Sequence, residues 1–141
     1  MSVLREIMTP EVHTLQLNQK LIDAIKFLHD HKVRHIPIVD SEGALVGVLT
    51  DRDVKRATPS PLAPNQREVW ENVVTGTDLE RVMSRDPITA TGDTTLIEAL
   101  HRLVEDRIGC LPILEDGKLV GIVTARDLFR ASLTALEAAQ S

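Results

Sequence analysis

Apolar residues follow two periods along this chain, and the periods alternate in the same order twice. In the first half, Val12 to Leu15 reads as a short extended piece. Leu21, Ile22, Ile25 and Leu28 then recur at helical spacing, with Lys20, Asp23, Lys26 and Asp30 outward. Asn18 is the expected N-cap. Ile36-Pro37-Ile38-Val39 reads as a buried strand with its proline near the start, where a missing donor does least harm. Asp40-Ser41-Glu42-Gly43 is a turn, and Leu45 to Leu49 returns as the second strand of a hairpin. Thr50 opens a helix whose first turn holds Asp51 and Asp53, favourably set against the helix dipole. In the second half Asp93 is the expected cap of a helix with Leu96, Ile97, Leu100, Leu103 and Val104 on its apolar face. Leu111 to Leu114 and Leu119 to Val123 form the hairpin, turned at Asp116-Gly117. A last helix runs from Arg126 to about Ala139 and carries Leu128, Phe129, Leu133 and Leu136.

Each half is therefore strand, helix, strand, strand, helix, and the halves match residue by residue. Gly47-Val48-Leu49-Thr50-Asp51-Arg52-Asp53 returns as Gly121-Ile122-Val123-Thr124-Ala125-Arg126-Asp127. At an offset of 75 positions, Leu4 falls on Leu79, Met8 on Met83, Thr14 on Thr89, and Pro37-Ile38 on Pro112-Ile113. One residue is lost in the turn after Asp40, and Gly43, Gly47 and Arg52-Asp53 then match Gly117, Gly121 and Arg126-Asp127. A repeat of this kind sets the architecture. It predicts a first repeat over 1–57, a proline-rich linker with a short helix over 58–75, and a second repeat over 76–141. The linker holds three prolines between Pro59 and Pro64, which no helix continues through. Arg67 to Val74 is the short helix, with Trp70 packing on one lobe.

Composition narrows the function classes. The chain has 141 residues and a net charge of −5, without the basic excess of a nucleic-acid surface. With no Tyr, one Trp and two Phe, the core is aliphatic. Cys110 is the single cysteine, so neither a disulfide nor a zinc-type spacing arises. The N-terminal residues lack the apolar run of a signal peptide, and no run is long enough to span a bilayer, so a cytoplasmic protein is expected. The five histidines lack metal-ligand spacing: His29 and His31 sit two apart on a helix, and His13 and His101 have no spaced partner. No nucleophile elbow or phosphate-binding Walker loop is present, so no enzyme activity is expected.

The duplicated motif is the candidate site. Gly47 and Gly121 lack a Cβ and would let a ligand approach the backbone. Thr50 and Thr124 offer hydroxyls beside helix-start N–H groups, where anions bind. Asp53 and Asp127 lie one turn on; they repel phosphate but accept hydrogen bonds from paired ribose hydroxyls. Arg52 and Arg126 lie within reach of phosphate. The same Thr-x-x-Asp spacing also serves as a helix capping box.

These motifs, with Ile7-Met8-Thr9 and Val82-Met83-Ser84, and with His35-Ile36-Pro37-Ile38-Val39-Asp40 and Cys110-Leu111-Pro112-Ile113-Leu114-Glu115, resemble a tandem pair of cystathionine-β-synthase (CBS) domains, the Bateman module. Stand-alone modules of this length resemble bacterial proteins of the acetoin-utilisation type. The resemblance implies an α/β (α+β) fold of two β-α-β-β-α repeats packed by pseudo-twofold symmetry into one compact module. It implies regulatory binding of AMP, ADP, ATP or a related adenosyl ligand such as S-adenosylmethionine or NAD in clefts between the repeats, with no other cofactor required. Asp53 and Asp127 would hold ribose, and Thr50 and Thr124 would meet phosphate. Thr14 and Thr89, with Ile36-Pro37 and Leu111-Pro112, would frame adenine. A homodimer built by helix packing is implied, signalling to an effector protein in trans. Arg34-His35 in the first repeat stands where the second has Gly109-Cys110, so the two sites should differ in ligand or affinity, with more positive charge in the first. The competing reading is a structural or protein-interaction module without ligand.

Overall fold

The short segment that opens each repeat is built into the sheet of the other repeat's hairpin. In the computed structural model, which describes residues 2–60, 62 and 66–140, the elements run α1 (Leu4–Ile7), β1 (Thr9–Pro10), β2 (Leu15–Gln16), α2 (Leu21–His31), β3 (His35–Val39), β4 (Leu45–Thr50), α3 (Asp51–Ala57), α4 (Gln66–Gly76), a 3-10 turn (Leu79–Arg81), β5 (Ser84–Arg85), α5 (Leu96–Asp106), β6 (Cys110–Glu115), β7 (Lys118–Thr124) and α6 (Ala125–Gln140). The fold is mixed α+β with two sheets, ordered β1-β7-β6 and β2-β3-β4-β5. Two compact units result. One holds Met1–Val12 with Pro87–Ser141, and the other holds His13–Asp86. We call them the second-hairpin unit and the first-hairpin unit.

In the first-hairpin unit β3 and β4 pair antiparallel, with His35 opposite Thr50 and Ile38 opposite Gly47. On one side β2 pairs parallel with β3, Leu15 opposite Ile38. On the other β5 pairs with β4, Arg85 opposite Gly47. Leu21, Ile36, Ile38, Leu49 and Leu79 are fully buried in one cluster, and Trp70 of α4 packs on it. Burying such a side chain stabilises by roughly 1.5–3 kcal/mol. The second-hairpin unit repeats the plan. β6 and β7 pair with Cys110 opposite Thr124, and β1 pairs with β7, Pro10 opposite Gly121. Ala90 bridges to Ile113 in the place of β2. Its core joins Leu4 of the first repeat to Leu111, Ile113, Val123 and Leu128 of the second.

The glycine shared by the two motifs is explained by this exchange. A Cβ on Gly47 would stand 2.6 Å from Met83 Sδ and 2.7 Å from the Ser84 carbonyl oxygen. A Cβ on Gly121 would meet Met8 Sδ, and the Thr9 carbonyl oxygen at 3.1 Å. The space expected for a ligand over Gly47 and Gly121 is filled by the opening segment of the other repeat. Arg5 fastens one such segment: Nη1 donates to Asp93 Oδ1 at 2.9 Å and Nη2 to Glu115 Oε1 at 2.6 Å.

Several expectations change. The extended piece expected over Val12 to Leu15 is paired only from Leu15, as β2. The cap of α2 is Lys20, not Asn18, because the Asp23 carboxylate accepts the Lys20 N–H at 2.8 Å and closes the first turn. Asp93 is drawn to Arg5, and Thr95 caps α5, exchanging hydrogen bonds with Glu98 at 3.2 Å each way. Ile97 and Val104 lie outside the core, 55% and 75% exposed, since α5 turns Leu96 and Ala99 inward. The Thr58–Asn65 loop is only partly described: α3 ends before Thr58, and residues 61 and 63–65 lie outside the described residues. No helix among the described residues is long and apolar enough to cross a membrane.

Candidate functional site

The hairpin register brings most of the candidate residues to one end of each sheet. In the first-hairpin unit His35 begins β3 opposite Thr50, which ends β4. The Arg34 carbonyl accepts the Asp51 N–H at 3.0 Å, tying the start of α3 to the start of β3. Thr50 Oγ1 accepts the Asp53 N–H at 3.1 Å while Asp53 Oδ2 accepts the Thr50 N–H at 3.0 Å. Arg56 Nη2 donates to Asp53 Oδ1 at 3.1 Å, so both carboxylate oxygens are engaged. Arg34 and Arg52 are exposed beside this junction. Burial pushes His35 below the ordinary histidine range; Asp51 and Asp53 pull it back up and Arg34 adds to the lowering. The neutral imidazole therefore prevails at neutral pH.

The second-hairpin unit repeats the junction with different chemistry. Asp127 Oδ2 accepts from both the Thr124 N–H and the Thr124 hydroxyl, each at 2.9 Å. Thr124 Oγ1 accepts the Asp127 N–H at 3.3 Å, and Asp127 Oδ1 has no hydrogen bond among the described residues. The Ala125 N–H is tied to the Gly109 carbonyl at 2.9 Å. Arg126 is exposed. Cys110 sits where the first repeat has His35, and burial pushes its thiol up to about 12. It stays protonated, and the reactive thiolate does not form near neutral pH.

The remaining candidates fall into two groups. Thr14 and Thr89 stand one residue before Leu15 and Ala90, whose partners in β3 and β6 are Ile38 and Ile113. They thus run beside Pro37 and Pro112. Ile36 and Leu111 are buried in the cores, so their side chains serve packing first. Leu111 also borders a recess of about 340 Å³ with Thr89, Ala90 and Thr94, closed by Glu98, His101, Arg102 and Glu105 of α5. Gly47 and Gly121 stand three residues before Thr50 and Thr124, on the order of 10 Å along the strand, away from the junction.

One expectation about the junction is corrected. The first three N–H groups of α3 are occupied: Asp51 by the Arg34 carbonyl, Arg52 by Asp51 Oδ1 at 3.0 Å, and Asp53 by Thr50. The side chains that sequence spacing did not single out are Arg56 and Arg81. With Asp53, Ala57 and Val82 they line a second recess of about 290 Å³. Only the i, i+3 spacing of Asp53 and Arg56 could have suggested part of it. Away from the site His13 has a partner after all: its ring stacks on His31 at 4.5 Å, and His31 lies on Phe27.

Comparison with known proteins matches these residues to one family. The CBS domain model matches residues 4–60 and again 78–134. The AcuB acetoin utilization protein of Vibrio cholerae is 28% identical; the alignment covers 99% of this chain and 96% of that one, at TM-score 0.78. CBSX2, a CBS-pair protein from Arabidopsis thaliana, was solved with AMP; it is 27% identical over 95% of this chain and 98% of its own, at TM-score 0.79. The CBS pair of MJ0100, solved with methylthioadenosine and S-adenosyl-L-methionine, is 28% identical over 96% of this chain and 98% of its own, at TM-score 0.78. Some curated relatives have about this chain's length. Of others, enzymes among them, the chain spans under a quarter.

Proposed function

We propose, since the chain belongs to the CBS domain family and carries that domain twice, that it is a regulatory module binding adenosyl ligands, one at the Thr50–Asp53 junction and one at the Thr124–Asp127 junction. The observation that carries this reading is the recurrence, in both units, of a half-buried aspartate fixed at a strand–helix junction by its own threonine. A cap alone needs one carboxylate oxygen. In Asp127 the second remains available to a ribose hydroxyl, and in Asp53 it is held by an exposed arginine that a ligand can displace. The AMP-bound and S-adenosylmethionine-bound relatives support the ligand class. AMP, ADP, ATP, S-adenosylmethionine and NAD are the compounds to screen.

The module acts on an effector protein in trans, by binding ligand differently in two states of the module. The exposed apolar stripe of Phe129, Leu133 and Leu136 on α6 supports a homodimer. The same stripe favours the second reading, a protein-interaction module without ligand. A cytoplasmic setting accords with the free, buried Cys110.

Titration calorimetry of the full chain tests the ligand reading. Asp53→Ala and Asp127→Ala should each weaken one site, with a loss of about 1.5–3 kcal/mol in binding, the range for hydrogen bonds to charged groups. Unchanged affinity in both variants overturns the ribose assignment. Thermal-shift silence toward every adenosyl compound favours the interaction module; ligand at about 100 times its dissociation constant adds roughly 2.7 kcal/mol to stability.

A further inference from the structure

The residues that line the recess beside Asp53 have equivalents in the second-hairpin unit, and one charge is inverted among them. Asp53, Arg56, Ala57, Arg81 and Val82 line the recess. The repeat maps them onto Asp127, Arg130, Ala131, Glu6 and Ile7. Four of the five pairs keep their character, and the fifth exchanges arginine for glutamate. The mapping is physical as well as formal: α1 touches α6, and Ile7 and Ala131 both pack on the core that contains Leu128. Arg81 is exposed and its guanidinium has no ion pair among the described residues, while Arg56 leans on Asp53. A ligand whose ribose sits on Asp53 therefore meets two arginines. The repeat sets one arginine and one glutamate, Arg130 and Glu6, at the equivalent positions for Asp127. Arg34 and His35 add to the contrast, since Gly109 and Cys110 replace them.

We infer that residues 81 and 6 sort the two sites by ligand charge: the Arg56–Arg81 recess takes the phosphates of an adenine nucleotide, and the site with Glu6 takes an adenosyl ligand that carries no phosphate. This deepens the adenosyl-binding reading and rests on it. Phosphate oxygens accept paired guanidinium N–H groups well, whereas a carboxylate beside the same ribose repels them and tolerates a neutral or cationic substituent. The first three main-chain amides of α3 are already engaged, so the anion falls to side chains.

The experiment is calorimetry on the full chain with ATP, adenosine and S-adenosylmethionine, in wild type, Arg81→Glu and Glu6→Arg. Both positions are exposed, and thermal melts establish that the variants fold. ATP should bind wild type at one site, and Arg81→Glu should weaken it roughly tenfold while adenosine changes by less than about twofold. Glu6→Arg should open the second site to ATP and weaken S-adenosylmethionine there. Added salt should weaken ATP more than adenosine. ATP affinity indifferent to both substitutions, in a protein where Asp53→Ala weakens ATP binding, overturns the inference and leaves the adenosyl reading intact. Should no adenosyl compound bind wild type, inorganic pyrophosphate separates the two failures. Pyrophosphate binding lost in Arg81→Glu upholds the anion recess while the adenosyl reading falls, and its absence sinks both.

Discussion

The two hairpin units share a backbone plan and differ in the chemistry set upon it. His35 faces Thr50 in one, and Cys110 faces Thr124 in the other. Asp53 is held by an arginine through its outer oxygen, whereas Asp127 doubles its hold on Thr124 and leaves that oxygen out. Asp51 occupies the next amide of α3, and Ala125 offers no such group to α6. Even unusual backbone angles are shared: Lys32 and Arg107 end their helices in the left-handed region, at φ of 52° and 53°. What duplication preserved is therefore the scaffold and the Thr–Asp pair. What diverged is the charge around it.

The most forceful way to test the shared plan is through its cores. Leu4 and Leu79 are equivalent and fully buried, but each serves the hairpin of the opposite repeat. Leu4→Ala and Leu79→Ala should each cost about 2–5 kcal/mol. Hydrogen exchange should rise over residues 110–124 in the first variant and over 35–50 in the second. The reverse pattern would show that the opening segments stay with their own repeats.

A smaller and asymmetric effect is expected at the glycines. Gly47→Ala forces a Cβ against the Ser84 main chain at 2.7 Å, whereas Gly121→Ala meets main chain only at 3.1 Å and otherwise a flexible methionine. Urea melts should show Gly47→Ala losing about 2–4 kcal/mol and Gly121→Ala about 1–2 kcal/mol. Equal losses would mean that methionine, not main chain, sets the limit. Next comes Thr95→Ala, which removes the side-chain cap of α5 and should cost about 1 kcal/mol. Its counterpart position, Lys20, offers no such side-chain acceptor, so Lys20→Ala should leave the α2 cap intact.

The mildest difference is in pH dependence. His35 titrates below its unfolded value of 6.5 because it is buried. Its contribution is complete above that value and is lost as pH falls below it, since the unfolded chain then binds the proton more readily. Tm should drop between about pH 7.5 and about pH 5.5, and His35→Gln should drop less over the same range. An equal drop would assign the acid sensitivity to other groups. Cys110, in the equivalent place, adds no such step there.

Much of this was legible in the residues. The hairpins announced themselves through apolar runs and turn residues, and the Thr-x-x-Asp pairs through their duplication. The exchange of opening segments was not legible, because β1 and β5 are two residues long and carry no periodicity, while their partner strands lie far along the chain. Helix caps went astray where a carboxylate in the first turn, as at Asp23, or a competing ion pair, as at Asp93, decided the boundary. Ile97 and Val104 fit the helical period but miss its inward side by a fraction of a turn. The recess at Arg56 and Arg81 joins residues from α3 and from the 3-10 turn, which long-range pairing of the turn and of β5 with the first repeat makes neighbours.

The division of the chain also sets an order of events during synthesis. Residues 13–86 hold all of one core and can close as soon as they leave the ribosome. Residues 2–12 belong to the unit completed by Pro87 onward, which is made later. At translation rates of about 5–20 residues per second they wait on the order of seconds. During that interval Leu4, Ile7 and Met8 are parted from the core they pack on, so early chaperone contact should concentrate on residues 4–8 and end when β7 emerges.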